Sequence, residues 1–216
     1  DRQEVIKGTA SMPAQRVLGL LCDLDGVVRL WPAHVVAAAE DAAGLPRGSI
    51  HETAFAADLL PLAITGRLSD EVWREEVGNR LRAAYPEADA NGAVAGWSAS
   101  PGVVNQPVLD LLRQRRVPVA LITNATSRLH QDLAALGLDG EFDHLINSSR
   151  LGVAKPDSGI FEAALQAIGL PADQVLFIDD DARHVAGATE LGIRSYQFMG
   201  DVPELDEVLR VAGIVR

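Results

Sequence analysis

Cysteine is almost missing from this chain of 216 residues. The one present, Cys22, excludes an internal disulfide and any zinc centre built on paired cysteines. Lying inside an apolar run, it reads as a small buried hydrophobe. Long apolar runs are missing too: none approaches the roughly 20 residues that a membrane-spanning helix needs. Positive charge is scarce, with 19 Lys and Arg against 30 Asp and Glu, for a net charge of −11. That balance argues against nucleic acid or an anionic membrane surface as a general partner. An anionic substrate would need a local positive site set against an unfavourable overall field. The chain has no internal repeat and no low-complexity segment. Its first residues, DRQEVIKGTASMP, carry no signal-peptide apolar core. Residues 1–12 are therefore expected to be a flexible leader, and the cytoplasm is the expected compartment.

What is present is a soluble, globular pattern of alternation. VPVALITN (117–124), HLINSS (144–149), QVLFIDD (174–180) and IRSYQF (193–198) are short, apolar and bounded by polar or Gly/Pro residues, as strands are. Helices are expected between and around them, near 104–116, 126–137, 157–169, 182–191 and 202–213. In SRLHQDLAALGL, Leu129, Leu133 and Leu136 share a face and Gly137 supplies the stop. Such alternation gives an α/β fold whose parallel sheet is covered on both faces. RVLGLLCD (16–23) fits as the first strand of that sheet.

The rhythm then breaks. PAHVVAAAEDAAG, HETAFAADLLPLAI, SDEVWREEVGNRLRAAY and ADANGAVAGW read as helices, with no convincing strand across 31–98. Ser69 is placed to cap the third, with Asp70 and Glu71 favouring the positive end of its dipole. The expected organisation is a discontinuous core (13–30 and 99–216) carrying a helical insertion (31–98), with SASPGV (98–103) as the return linker.

In an open parallel sheet, ligands bind beyond the carboxyl ends of the strands. Asp23 and Asp25 follow the first strand, Thr123 and Asn124 the second, and Asp179, Asp180 and Asp181 the fourth. Lys155-Pro156 opens a helix after the third. Any one of these polar residues is an ordinary turn residue. Five carboxylates at two strand ends are not ordinary, because like charges there would destabilise the fold unless a cation sat among them. Oxygen ligands without a His or Cys set suit Mg²⁺, which takes one or two carboxylates and a substrate phosphate oxygen. Lys155 would add positive charge, and Thr123 with the N–H that follows it would add neutral donors. Asp23 and Asp25, two apart on an extended chain, would lie about 6–7 Å from each other.

Four stretches in order, DLDGVV (23–28), ITNAT (122–126), VAKPDSGIF (153–161) and LFIDDDARHVAGA (176–188), resemble the motifs of the haloacid dehalogenase superfamily. The resemblance implies a Rossmann-like core, and the insertion is similar to the helical C1 cap of its subfamily I. It also implies Mg²⁺-dependent hydrolysis of a small phosphorylated metabolite through an aspartyl-phosphate, with no particular oligomeric state. By the same resemblance Asp23 is the nucleophile. Asp25 is the general acid and base, and its backbone carbonyl faces the metal. Thr123 and the Asn124 N–H bind the phosphoryl group, and Lys155 holds the nucleophile. Asp180 is the main acidic metal ligand and Asp179 a supporting one.

Asp25 favours phosphate esters over haloacids, since a departing alkoxide needs a proton and a halide does not. A 2-haloacid dehalogenase, a phosphomutase and a phosphate- or Mg²⁺-binding regulatory protein are the alternatives. His184 stands where many relatives have Asp or Asn and is expected to be structural or solvent-facing. Asp181 is expected to be a helix N-terminal acid. Arg29 and Trp31, just after the catalytic loop, are candidates to line the substrate pocket, and Arg67 is a weaker one. Trp73 and Trp97 are expected in the packing of the insertion, and the basic run RQRRV (113–117) in a helix end.

Overall fold

The computed structural model describes residues 16–216, so the expected leader lies outside the described residues. The elements run in the order β1 (Gly19–Cys22), β2 (Arg29–Leu30), α1 (Ala33–Ala43), α2 (Ser49–Ala54), α3 (Leu60–Ile64), α4 (Asp70–Ala84), α5 (Ala90–Ser98) and β3 (Val103–Val104). The chain continues through α6 (Gln106–Arg113), β4 (Val119–Thr123), α7 (Leu129–Ala135), β5 (His144–Asn147), α8 (Ser148–Leu151) and α9 (Ser158–Ile168). It ends with β6 (Val175–Asp179), α10 (Ala182–Glu190), β7 (Arg194–Gln197) and α11 (Val202–Val211).

Five strands form one parallel sheet in the order β5-β4-β1-β6-β7. Strand periodicity sorts their side chains onto two faces. Leu20, Cys22, Val119, Leu121, Leu176 and Ile178 belong to one apolar cluster, which includes Leu109 and Leu112 of α6, Leu129 and Leu133 of α7, and Leu205 and Leu209 of α11. Leu21, Ala120, Ile122, Val175 and Phe177 belong to the other, with Ile160, Phe161 and Ala164 of α9 and Ala188 of α10. Burial on both faces is why these strands read as unbroken apolar runs. The central β1 has β4 on one side and β6 on the other, in register Cys22↔Leu121 and Cys22↔Ile178. The sheet thus grows from β1 first to one side, through β4 and β5, and then to the other, through β6 and β7, so its direction switches beside the residue that follows Cys22.

Helices α1–α5 pack about a cluster of their own, including Ile50, Leu59, Trp73, Val77 and Leu81. Trp73 meets Trp97 edge-on at 5.2 Å, in line with the packing role expected of both. The segments entering and leaving this block pair as a short antiparallel ribbon, β2 with β3, which the sequence pattern does not announce. HETAFAADLLPLAI divides into α2 and α3 around Phe55. The strand expected over 144–149 ends at Asn147, whose side chain accepts from the Ser149 N–H at 3.0 Å and so starts α8. Among the described residues no helix is long and apolar enough to cross a membrane.

Candidate active site

Three strand ends and one loop meet at the carboxyl edge of the sheet. β1 runs into Asp23, β4 ends on Thr123 and β6 on Asp179, all buried. Lys155, only 4% exposed, reaches between them from the loop before α9. Its Nζ lies 2.7 Å from Asp23 Oδ1 and 2.6 Å from Asp179 Oδ2, and donates to the Ile122 carbonyl at 3.0 Å. All three ammonium donors are thereby used. The Asn124 side chain secures the lysine backbone, accepting from Lys155 N at 2.8 Å and donating to Lys155 O at 2.9 Å.

Burial pushes the Asp23 carboxyl up to about 7; Lys155 opposes that rise and Asp179 adds to it. Burial alone would raise Asp179 and lower Lys155. Instead Asp179 is held below the usual carboxylate range by His184 and Lys155, and Lys155 above the usual lysine range by its two acids. The same burial keeps the Cys22 thiol protonated, well above its ordinary range.

Asp23, Asp179 and Asp180 can each bring one oxygen within 4.8 Å of the others. One lysine among three carboxylates leaves excess negative charge, and Asp180 is exposed enough to admit an ion. Gly26, at φ +84°, makes room for this arrangement, since a Cβ there would run into the Asp180 carboxylate. A clustered set of oxygen donors with an open side fits Mg²⁺. Thr123 Oγ1 is a second pointer to a ligand: it is buried and has no hydrogen-bond partner among the described residues. Buried hydroxyls are seldom left so, and a phosphoryl oxygen would satisfy this one.

The other expected site residues fall differently. The Asp25 side chain is outside the acidic triad and is held by Arg29 and Trp31. Arg29 is 3% exposed and committed to Asp25 and Asp132, so it stands behind Asp25 and presents no free guanidinium to a substrate. Trp31 is half-exposed, with its indole N–H on Asp25 Oδ1. Asp181 caps α10 through the Arg183 N–H, and the Arg183 side chain holds its carboxyl well below the usual range. His184 does not face solvent: its Nδ1 lies 3.1 Å from both Asp179 oxygens. Arg67 is exposed in the turn before α4, and Arg113 and Arg115 of RQRRV are tied to Glu141 and Asp143 respectively.

Asp70 carries more than the helix dipole of α4. It is 3% exposed and accepts from Thr126 Oγ1 at 2.7 Å and Arg74 Nε at 2.6 Å, while its N–H donates to Ser127 Oγ. The insertion is thus pinned to the loop that follows Thr123. The i,i+4 spacing of Asp70 with Arg74 and of Arg128 with Asp132 is visible in the sequence. The partners each pair finds across the fold are not.

Residues 18–192 match the family model of the haloacid dehalogenase-like hydrolases, and the chain belongs to that family. Bifunctional epoxide hydrolase 2 of Sus scrofa is 27% identical over 217 residues, covering 89% of this chain and 38% of that protein. Haloacid dehalogenase-like hydrolase domain-containing protein 3 of Mus musculus is 30% identical over 158 residues, 67% of this chain and 62% of that one. The chain therefore spans between 38% and 62% of the length of these relatives. A solved family enzyme of Bacteroides thetaiotaomicron, in complex with magnesium and inorganic phosphate, shares the fold with a TM-score of 0.69 at 20% identity. That match covers 86% of this chain and 96% of the other. The names of further curated relatives include a phosphatase and haloacid dehalogenases.

Proposed function

We propose that this family hydrolase acts on phosphate monoesters of small metabolites, with Mg²⁺, through an aspartyl-phosphate. The observation that carries the reading is the acidic triad of Asp23, Asp179 and Asp180 with one lysine among them, beside the unpartnered Thr123 hydroxyl. Asp23, its Oδ1 held by Lys155, attacks phosphorus with the other oxygen. Asp25 gives a proton to the leaving oxygen as its bond to phosphorus breaks. Asp25 then takes a proton from the water that attacks the aspartyl-phosphate and releases inorganic phosphate. Thr123 Oγ1 donates to a phosphoryl oxygen, and Lys155 offsets charge on the transferring group. Bound by Asp23, Asp179 and Asp180, Mg²⁺ would favour the ionised nucleophile and neutralise phosphoryl charge.

The α1–α5 block, pinned through Asp70, would act as a cap that limits water around the leaving group. Trp31 would line its path, and we infer a cytoplasmic location for the enzyme. Dehalogenase names among the relatives favour a second reading, attack of Asp23 on carbon, but that chemistry leaves Asp25 and the excess carboxylates without a task. Hydrolysis of p-nitrophenyl phosphate and of a panel of metabolite phosphates, with Mg²⁺ and with chelator, tests the proposal. Turnover that the chelator removes is expected. Halide release from 2-chloropropionate with no phosphatase activity would replace it.

A further inference from the structure

The side chain that exchanges protons is held by residues outside the four motifs. Arg29 grips Asp25 with two arms, Nε to Oδ1 at 2.6 Å and Nη2 to Oδ2 at 2.9 Å. The Trp31 indole N–H donates to the same Oδ1 at 2.7 Å. A carboxylate offers about four lone-pair sites. Two are taken on Oδ1 and one on Oδ2, so a single site is left, on Oδ2. The third arm of Arg29, Nη1, goes to Asp132 Oδ2 at 3.1 Å. Asp132 Oδ1 accepts from Arg128 Nε at 2.9 Å, and Arg128 Nη1 donates to the Ser98 carbonyl at 2.9 Å. Arg29 and Asp132 are both buried, at 3% and 8% exposure, and the Arg29 guanidinium stacks 4.5 Å from the Trp31 ring. Charges thus alternate along Asp25, Arg29, Asp132 and Arg128, from the catalytic loop through α7 to the end of the helical insertion.

We propose that Arg29, braced by Asp132, and the Trp31 indole are positioning residues that orient Asp25 so that Oδ2 carries the exchanged proton. The proposal rests on the phosphatase reading. In the first half-reaction the Oδ2 proton goes to the ester oxygen as Asp23 bonds to phosphorus and the ester P–O bond breaks. In the second, Oδ2 takes a proton from water as the water oxygen bonds to phosphorus and the Asp23–phosphorus bond breaks. Sharing one guanidinium between two carboxylates lets Arg29 fix Asp25 without placing its whole charge there. Without Asp132, the third arm of the guanidinium loses its anchor, and the two-armed hold on Asp25 loses its fixed direction. Lysine at position 29 would lose the two-armed grip altogether.

The test compares kcat for acetyl phosphate, whose leaving group is weakly basic, with kcat for a primary alkyl phosphate such as glycerol 3-phosphate, whose alkoxide needs the proton. Trp31→Phe, Asp132→Asn and Arg29→Lys are each expected to lower kcat on the alkyl ester about 10- to 100-fold. On acetyl phosphate the loss is expected to stay under about threefold. A merely structural role would lower both together, and equal losses would overturn the proposal. If the buried variants fail to fold, Trp31→Phe, at a half-exposed position, still decides it. Wild-type turnover of acetyl phosphate alone would overturn the proton-positioning role and leave the phosphatase reading standing. Turnover of neither would overturn both.

Discussion

Replacing Lys155 with methionine keeps the length of the side chain and removes its charge. Two carboxylates, Asp23 at 5% exposure and Asp179 at 0%, then lose the cation that lies 2.7 and 2.6 Å from them. Removing one partner of a buried pair costs about 3–5 kcal/mol, because the remaining charge stays desolvated. For a chain of this size that corresponds to a fall in Tm of about 6–20 °C. The assay is urea or thermal unfolding followed by circular dichroism in the presence of chelator. Two recoveries should accompany the loss. Lowering the pH from 8 to 5 should restore part of it, since the unpaired carboxyls then fold protonated. Mg²⁺ at 100 times its dissociation constant should restore about 2.7 kcal/mol, because it binds only the folded carboxylates. A loss below about 1 kcal/mol, with neither recovery, would refute the view that Lys155 balances this cluster.

Further expectations follow from the same geometry. Burial raises the Asp23 carboxyl from 3.8 to about 7, so its contribution to stability is present below pH 4 and is lost as pH rises through 7 in the metal-free protein. A cation needs the ionised form. Mg²⁺ affinity should therefore tighten from pH 6 to 8 with proton release, read by calorimetry in buffers of different ionisation enthalpy; constant affinity would contradict it. Asp23→Asn should abolish turnover and Asp25→Asn nearly so, and substantial activity in the first would rule out the nucleophile assignment. Gly26→Ala, at φ +84° and against Asp180, should cost about 1–2 kcal/mol for the backbone conformation alone. It should also weaken Mg²⁺ binding more than tenfold, and unchanged affinity would mean that Asp180 is not a ligand.

The core was legible because burial on both faces leaves its mark on the three central strands, β1, β4 and β6. VALIT and VLFID are apolar until the residue that leaves the sheet, and there each supplies a site residue, Thr123 or Asp179. Strand ends that share an edge bring distant motifs together, so Asp23, Lys155 and Asp179 could be placed before any distance was known. Shorter devices were not legible. β2 and β3 have two residues each, too few for a period, and they pair only because the insertion returns to its starting point. Ser148–Leu151 turns helical through the Asn147 side chain, a local bond that competes with strand extension.

Charged side chains show most clearly why position and role come apart. From its place just after the loop that carries Asp23 and Asp25, Arg29 is a candidate to line the substrate pocket. Its proximity to Asp25 is real, but the loop between them folds back so that Gly26 N–H donates to the Arg29 carbonyl and Asp25 bridges to Arg29. That turn aims the guanidinium at Asp25, the proposed acid, and the buried Asp132, 103 residues further on, takes the remaining arm. Spacing reports how near two residues can come, whereas the direction of a long side chain is set by the opposite charge that the fold brings to it. His184 follows the same rule. On sequence it is a polar residue on an amphipathic helix, and only the end of β6 turns its ring onto Asp179. In a protein carrying eleven excess negative charges, the buried arginine beside the site is thus spent on organising carboxylates. In the proposed phosphatase, attraction of a phosphate would be left to Lys155, to the neutral donors at the strand ends and to the cation that the three aspartates would hold.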